Sequence, residues 1–243
     1  MRRFTIAPER IRDGRVFFDR DESRHLARVL RLRSGDTVLA ADGAGHEYTV
    51  RLETIGDEAT GTVLEVGAND HESPLRITLI QSVPKGDKME SIVRASTELG
   101  VTRIVPVLTA RTIVTLEPGR WRDRARRWQR VAKEAAKQCG RAVVPPVHEA
   151  LPIADALAQP IAAARIMFTE PSASGAGTVS LSQLPRAAAA ELLIGPEGGW
   201  TVGERELAAA SGCMLVTLGA QTIRAAAAPM VAITAVRAMW GDL

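Results

Sequence analysis

The chain has 243 residues, 46% hydrophobic and 24% charged, the balance of a folded globular protein with a sizeable core and not of a disordered chain. Its longest apolar run, 225–236, is too short for a membrane span, Met1–Phe4 is followed by no apolar leader segment, and Cys139 and Cys213 offer neither a disulfide framework nor metal-ligand spacing. The net charge of +3 hides an uneven distribution: residues 1–72 carry 11 basic and 14 acidic groups, 73–150 carry 15 and 7, and 151–243 carry 5 and 7. No membrane partner and no metal are expected, and a reduced, cytoplasmic setting is.

The first 72 residues read as short strands over 15–19, 37–42, 46–55 and 59–66, separated by Gly and Asp. Ser23 is the expected N-cap of one helix over 24–31. This is the pattern of a small β-barrel with a helix across it. The polar stretch 69–74 ends in Pro74 and divides the chain into domains 1–72 and 73–243. Beyond it the rhythm changes. Strands are expected over 75–83, 101–108, 165–169, 191–194 and 214–218, and helices over 87–99, stopped by Gly100, and 120–139, stopped by Gly140. An alanine-rich helix runs up to Trp240, and 171–178 is a loop of small residues. Strands alternating with helices imply an α/β domain with a mostly parallel sheet.

The segment Ile194-Gly195-Pro196-Glu197-Gly198-Gly199-Trp200-Thr201 ends a buried strand, turns on glycine and starts a helix, with Thr201 and Glu204 spaced as a capping box. Open α/β sheets bind ligands in loops at this end of their strands. Neither the dinucleotide fingerprint nor the P-loop spacing is present. The carboxylate of Glu197 would repel a triphosphate and suits a neutral or cationic ligand. On this segment alone, a purely structural turn is an equal reading. A second glycine loop follows the strand 214–218, running from Gly219 to Arg224, and the two strands are expected to lie side by side and serve one ligand. Arg224 is the only basic residue between Arg205 and Arg237, which favours a placed charge over an incidental one.

In the helix 120–139, Trp121, Ala125, Trp128, Ala132, Ala135 and Cys139 form one apolar stripe, while Arg122, Arg126, Arg130, Lys133 and Lys137 fall opposite. Between Arg120 and Arg141 there are nine basic residues and two acidic ones, a bias that favours polyanion contact over an ordinary solvated face. A second basic group, Arg24, His25, Arg28, Arg31 and Arg33, crowds the helix of the small domain. His25 fits a hydrogen-bonded or phosphate-facing histidine better than a catalytic base.

Taken in order, several segments carry a resemblance: His25-Leu26-Ala27-Arg28-Val29-Leu30-Arg31 with Gly35-Asp36; Lys85-Gly86-Asp87-Lys88-Met89-Glu90; Thr97-Glu98-Leu99-Gly100-Val101 and Arg111; Arg127-Trp128, Glu134-Ala135-Ala136, Gln138, Arg141 and Pro145-Pro146; Gly195-Pro196-Glu197-Gly198-Gly199; and Leu218-Gly219 with Arg224. Along essentially its whole length the chain resembles the RsmE family of SPOUT-class RNA methyltransferases. The resemblance implies a PUA-like β-barrel RNA-binding domain followed by a SPOUT-type α/β domain with a C-terminal trefoil knot. It implies a homodimer that uses S-adenosylmethionine to methylate N3 of one uridine, uracil 1498, in 16S rRNA of the small ribosomal subunit. Phe168, Thr169, Glu170, Ile194, Gly195, Pro196, Glu197, Gly198, Leu218, Gly219, Ile223 and Arg224 would line the cofactor pocket. Arg24, His25, Arg28, Arg31, Arg33, Lys85, Arg111, Arg127, Gln138 and Arg141 would face RNA.

Transfer to N3 requires an exposed base and loss of the N3 proton, which spreads negative charge onto O2 and O4. Arg224 is the expected catalytic cation for that charge. One departure stands out. The family pattern is Arg-Thr-Glu-Thr-Ala at this junction, with another Arg earlier in the loop. Here it is Arg224-Ala225-Ala226-Ala227-Ala228, with Gln221 in the earlier position. The alanine run supports one alternative, a relative that binds cofactor and RNA without turnover; a related enzyme acting on tRNA is another.

Overall fold

A computed structural model describes residues 1–68, 72–114, 117–160, 163–173 and 178–240. Asn69, Asp70 and His71 of the expected boundary, and 174–177 of the small-residue loop, lie outside the described residues. The chain divides into two compact units, Met1–Glu72 with Ala136–Val144, and Ser73–Ala135 with Pro145–Leu243.

The first unit is a curled six-stranded sheet built from β1 (Arg3–Thr5), β2 (Ile11–Arg12), β3 (Arg15–Phe17), β4 (Thr37–Ala41), β5 (His46–Thr54) and β6 (Thr60–Ala68), in the order β1-β4-β5-β6-β3-β2. Only β1–β4 is parallel. Alternation along the strands turns Val38, Ala40, Val50 and Leu52 inward, where they join Phe4, Val16, Phe18 and Leu26 in one core. The three-residue β1 and two-residue β2 are too short to show alternation and were not expected.

The helix of this unit, α1 (Arg20–Arg24), starts earlier than its sequence suggests. Asp19 is the N-cap, its carboxylate accepting from the Glu22 N–H at 2.8 Å. Ser23, expected in that role, is instead buried, accepting from the Ala59 N–H at 2.9 Å. The chain then widens into a π-type turn over His25–Val29. The His25 ring packs edge-on against Phe4, with centroids 6.0 Å apart. Two basic residues expected to face a polyanion do something else here. Lys137 is largely buried, pairs with Glu22 at 2.9 Å and lies 5.1 Å over the Phe4 ring. Arg141 is buried and makes a two-pronged pair with Glu72 at 2.8 and 3.1 Å. Leaving water unpaired is expensive for such charges, which accounts for both pairings.

The second unit contains β7 (Arg76–Ser82), α2 (Lys88–Glu98), β8 (Arg103–Leu108), α3 (Pro118–Cys139), β9 (Leu151–Pro152), α4 (Ile153–Leu157), β10 (Ala164–Thr169), β11 (Thr178–Val179), β12 (Ala189–Ile194), α5 (Val202–Ala210), β13 (Met214–Thr217) and α6 (Ala228–Met239). The last turn of α3 belongs to the first unit. The strands form one parallel sheet in the order β11-β13-β10-β12-β7-β8-β9. Their near-continuous apolar runs, such as Leu192-Leu193-Ile194, fit strands covered on both faces. In α3, Trp121, Ala125, Trp128, Ala132 and Ala135 are buried as expected, while Arg122, Arg126 and Arg130 are exposed. Cys139 closes the helix and is exposed, so the buried stripe ends before it.

The neighbouring strands β10 and β12 carry a buried ion pair at their starts. Arg165 and Glu191 are register partners, and the guanidinium lies 2.5 Å from the carboxylate with no side-chain exposure. Arg165 also donates to the Leu157 and Gln159 carbonyls at 2.9 and 3.2 Å. Nearby, burial pushes the Cys213 thiol up to about 12, with Arg165 lowering it and Glu191 raising it, so this thiol is chemically quiet.

Candidate active site

The sheet order brings three strand ends together. β10 lies between β12 and β13, so the two glycine-ended strands are not side by side as expected. Their loops nevertheless reach a common cavity of about 560 Å³, within the range that holds small molecules. Phe168, Thr169 and Glu170 come from the end of β10, Ile194, Gly195, Pro196 and Glu197 from β12, and Leu218, Ile223 and Arg224 from the loop after β13. Of the residues expected here, Gly198 and Gly219 do not line this cavity. Lys88, Pro171, Gln221, Thr222 and the alanines Ala225, Ala226 and Ala228 complete its walls. Lys88 was legible only as part of the Lys85–Glu90 motif, because β7 and β12 must pair before its side chain meets the glycine loop.

Local packing explains the glycine turn. A Cβ on Gly195 would stand 3.1 Å from the Trp200 ring, so the backbone lies directly against the indole. Trp200 is buried, and its Nε1–H donates to the Phe168 carbonyl at 2.8 Å, tying β10 to the turn after β12. Trp200→Phe keeps most of the packing but strands that carbonyl, and chemical denaturation should show a loss of about 1–3 kcal/mol. Thr201 and Glu204 form the expected capping box. Glu204 also accepts from the Ala110 N–H at 2.8 Å, which anchors the segment carrying Arg111. The Arg111 guanidinium donates to the carbonyls of Gly198 at 2.5 Å and Trp200 at 3.4 Å, bracing the turn from outside.

The charges are arranged differently from the sequence reading. Glu197 was expected to offer a free carboxylate; it pairs with Lys88 at 2.6 Å and accepts from the Lys85 N–H at 3.2 Å. Burial raises its carboxyl, but hydrogen bonds from Lys88, its own backbone and Lys85, with the Lys88 charge, outweigh that and hold it below the usual range. Its charge is matched before any ligand arrives, so the argument that it favours a cation loses its footing. Glu170 is the contrasting group. Its carboxylate rests over Gly199, where an added Cβ would collide with it, and it has no ion pair among the described residues. The Arg224 guanidinium likewise has no carboxylate partner among them, while its carbonyl accepts from Ala227 and Ala228 to start α6.

The residues expected to face RNA are divided. Arg24, Arg28, Arg31, Arg33, Lys85, Arg111 and Gln138 are exposed, and His25 is half-buried. Arg127 is exposed but tied to Glu90 at 2.5 Å. Among the described residues no group of His, Cys, Asp or Glu is arranged to hold a metal ion, and no helix is long and apolar enough to cross a membrane.

Comparison with known proteins agrees with this geometry. The RNA methyltransferase domain family matches residues 71–237, and the RNA methyltransferase PUA domain family matches residues 18–63. The chain is similar to ribosomal RNA small subunit methyltransferase E of Synechocystis sp., at 37% identity over 98% of this chain and 77% of that one. It is 30% identical to the Bacillus subtilis protein of that name, over 89% and 87% of the two chains. The crystal structure of ribosomal RNA small subunit methyltransferase E from Neisseria gonorrhoeae bound to S-adenosyl methionine superimposes with a TM-score of 0.88, at 36% identity, covering 99% of this chain and 98% of that one.

Proposed function

The chain belongs to the ribosomal RNA small subunit methyltransferase E family, and from that membership we propose that it methylates N3 of one uridine, uracil 1498, in 16S rRNA of the small ribosomal subunit. It is an S-adenosylmethionine-dependent rRNA methyltransferase. The observation that carries the finer reading is the cavity at the ends of β10, β12 and β13, with an unpaired arginine on its wall.

The cavity suits S-adenosylmethionine. Phe168, Ile194, Pro196, Leu218 and Ile223 offer apolar surface for a flat purine, and Thr222 offers a hydroxyl for one of its ends. When bound, the cofactor supplies a methyl group on a cationic sulfur. The protein's own contribution is electrostatic. As the N3 proton leaves, charge builds on O2 and O4 of the uracil, and the free guanidinium of Arg224 stabilises it at little reorganisation cost.

Residues 1–72 serve as the RNA-binding domain, and residues 73–243 as the cofactor-binding and dimerising domain with a C-terminal knot. Support for the homodimer comes from α6, whose outer side presents Val231, Ala235 and Ala238, a low apolar strip. The working compartment is the cytoplasm, where ribosomes are assembled. RNA is held through Arg24, Arg28, Arg31 and Arg33 of the first unit and through Lys85, Arg111, Arg122, Arg126 and Arg130 of the second. Affinity should therefore fall steeply with salt, by about 10³-fold or more between 50 and 200 mM if roughly six phosphates are contacted. Binding that ignores salt would contradict this assignment.

The alanines Ala225–Ala228 favour a second reading, a relative that binds cofactor without turnover. Incubating the protein with labelled S-adenosylmethionine and either unmodified small subunits or tRNA, followed by nucleoside mass spectrometry, separates the readings. N3-methyluridine from small subunits supports the proposal. Cofactor binding without transfer supports the second reading, and label in tRNA overturns the substrate.

A further inference from the structure

A second hollow of about 350 Å³ adjoins the cofactor cavity. Arg111, Ser172 and Arg205 line it, and it shares Glu170, Glu197 and Thr222 with the first cavity. Arg205, on α5, has no carboxylate partner among the described residues, so its guanidinium is available to receive a phosphate. Ser172 and Thr222 add hydroxyls able to meet the carbonyls of a pyrimidine. A hollow sharing a wall with the methyl donor's cavity, with hydroxyls inside and arginines at hand, matches a nucleotide.

The proton must also go somewhere. Among the described residues neither hollow is lined by His or Cys, and the wall following Arg224 is alanine. Arginine stays protonated. Lys88 and Glu197 hold each other at 2.6 Å. Glu170 is the remaining basic group, unpaired and common to both hollows.

We propose that the second hollow takes the target uridine and that Glu170, on the wall between the two hollows, accepts its N3 proton. This rests on the methyltransferase reading above. The N3–H bond breaks and its proton passes to the Glu170 carboxylate. The nitrogen's electron pair forms the bond to the methyl carbon as the carbon–sulfur bond breaks, its electrons staying on sulfur to leave a neutral thioether. Glu170 then returns the proton to water. A carboxylate is a weaker base than the uracil anion, so the transfer runs uphill. Arg224 reduces that mismatch by stabilising the anion, so the two residues act on opposite sides of one proton transfer.

Glu170→Gln preserves shape and removes the base. With unmodified small subunits as substrate, kcat should fall about 10²- to 10⁴-fold, and the residual rate should climb about tenfold per pH unit as hydroxide takes over. Calorimetric binding of S-adenosylmethionine should stay within about threefold of the parent, and Glu170→Asp should recover part of the rate. Arg205→Ala should raise the KM for subunits by about tenfold and leave cofactor binding unchanged. Unchanged kcat in Glu170→Gln, or cofactor affinity lost in proportion to kcat, overturns the proton-acceptor role. An unchanged KM in Arg205→Ala overturns the uridine pocket. A parent protein with no transfer to small subunits overturns the activity reading itself, and the inference with it.

Discussion

Arg224→Ala should reduce kcat by about 10²- to 10³-fold, the loss that follows removal of one preorganised group facing developing negative charge. Binding of S-adenosylmethionine should change far less. Arg224 sits at the end of the loop after β13, before the helix that begins at Ala228, and its guanidinium has no carboxylate partner among the described residues. A cation held for structure would be paired, as Lys137 and Arg141 are. Single-turnover rates and calorimetry on the same variant give the comparison. Equal losses in rate and cofactor affinity would show that Arg224 holds the cofactor and does not stabilise the uracil anion. Lysine should restore only part of the rate, because a point charge cannot span O2 and O4 as a planar fork does.

The second large effect is on stability. Arg165→Met leaves the Glu191 carboxylate buried with no cation, and breaking a buried pair in this way costs about 3–5 kcal/mol. The Arg165 side chain has no exposure and also satisfies two carbonyls, so the upper part of that range is expected. The double variant Arg165→Met with Glu191→Leu should regain most of the loss, because neither charge then needs water. Urea unfolding of the single and double variants decides it. A double variant no more stable than the single one would place the role in the carbonyl contacts instead of the ion pair. Both strands lead into the cavity proposed for the cofactor, so the single variant should also weaken S-adenosylmethionine binding.

Much of the second unit was legible because its signals are local. Gly100 and Gly140 end helices, Thr201 with Glu204 starts one, and the apolar runs at Ile77–Ile80 and Leu192–Ile194 mark covered strands. Helix α1 was misread because Asp19 and Ser23 are both good caps. Burial of the Ser23 hydroxyl against the Ala59 N–H decides between them, and that is a long-range contact. The strand order could not be read from the chain, since placing β10 between β12 and β13 depends on which edges pair.

The site residues divide in the same way. The glycine loops announce themselves through their turns, and Arg224 through its isolation in an apolar stretch. Glu170 carries no local signal beyond ending a strand; its importance follows from the space above Gly199 and from Lys88 neutralising Glu197. Arg141 and Lys137 look like any other members of a basic run. Their pairing with Glu72 and Glu22, far away in sequence, is visible only in the fold.

Methylation at N3 of a single 16S uridine can be read by reverse transcription. N3 lies on the pairing edge of uracil, so a methyl group there blocks the copying enzyme at the modified base. Small subunits lacking the modification should be incubated with the protein and S-adenosylmethionine, and their 16S rRNA then copied. One new stop is expected, adjacent to uracil 1498, and it should disappear when the cofactor is omitted. Full-length copying from subunits that have nonetheless acquired methyl label would contradict N3 as the acceptor, and a stop elsewhere would contradict the assigned uridine.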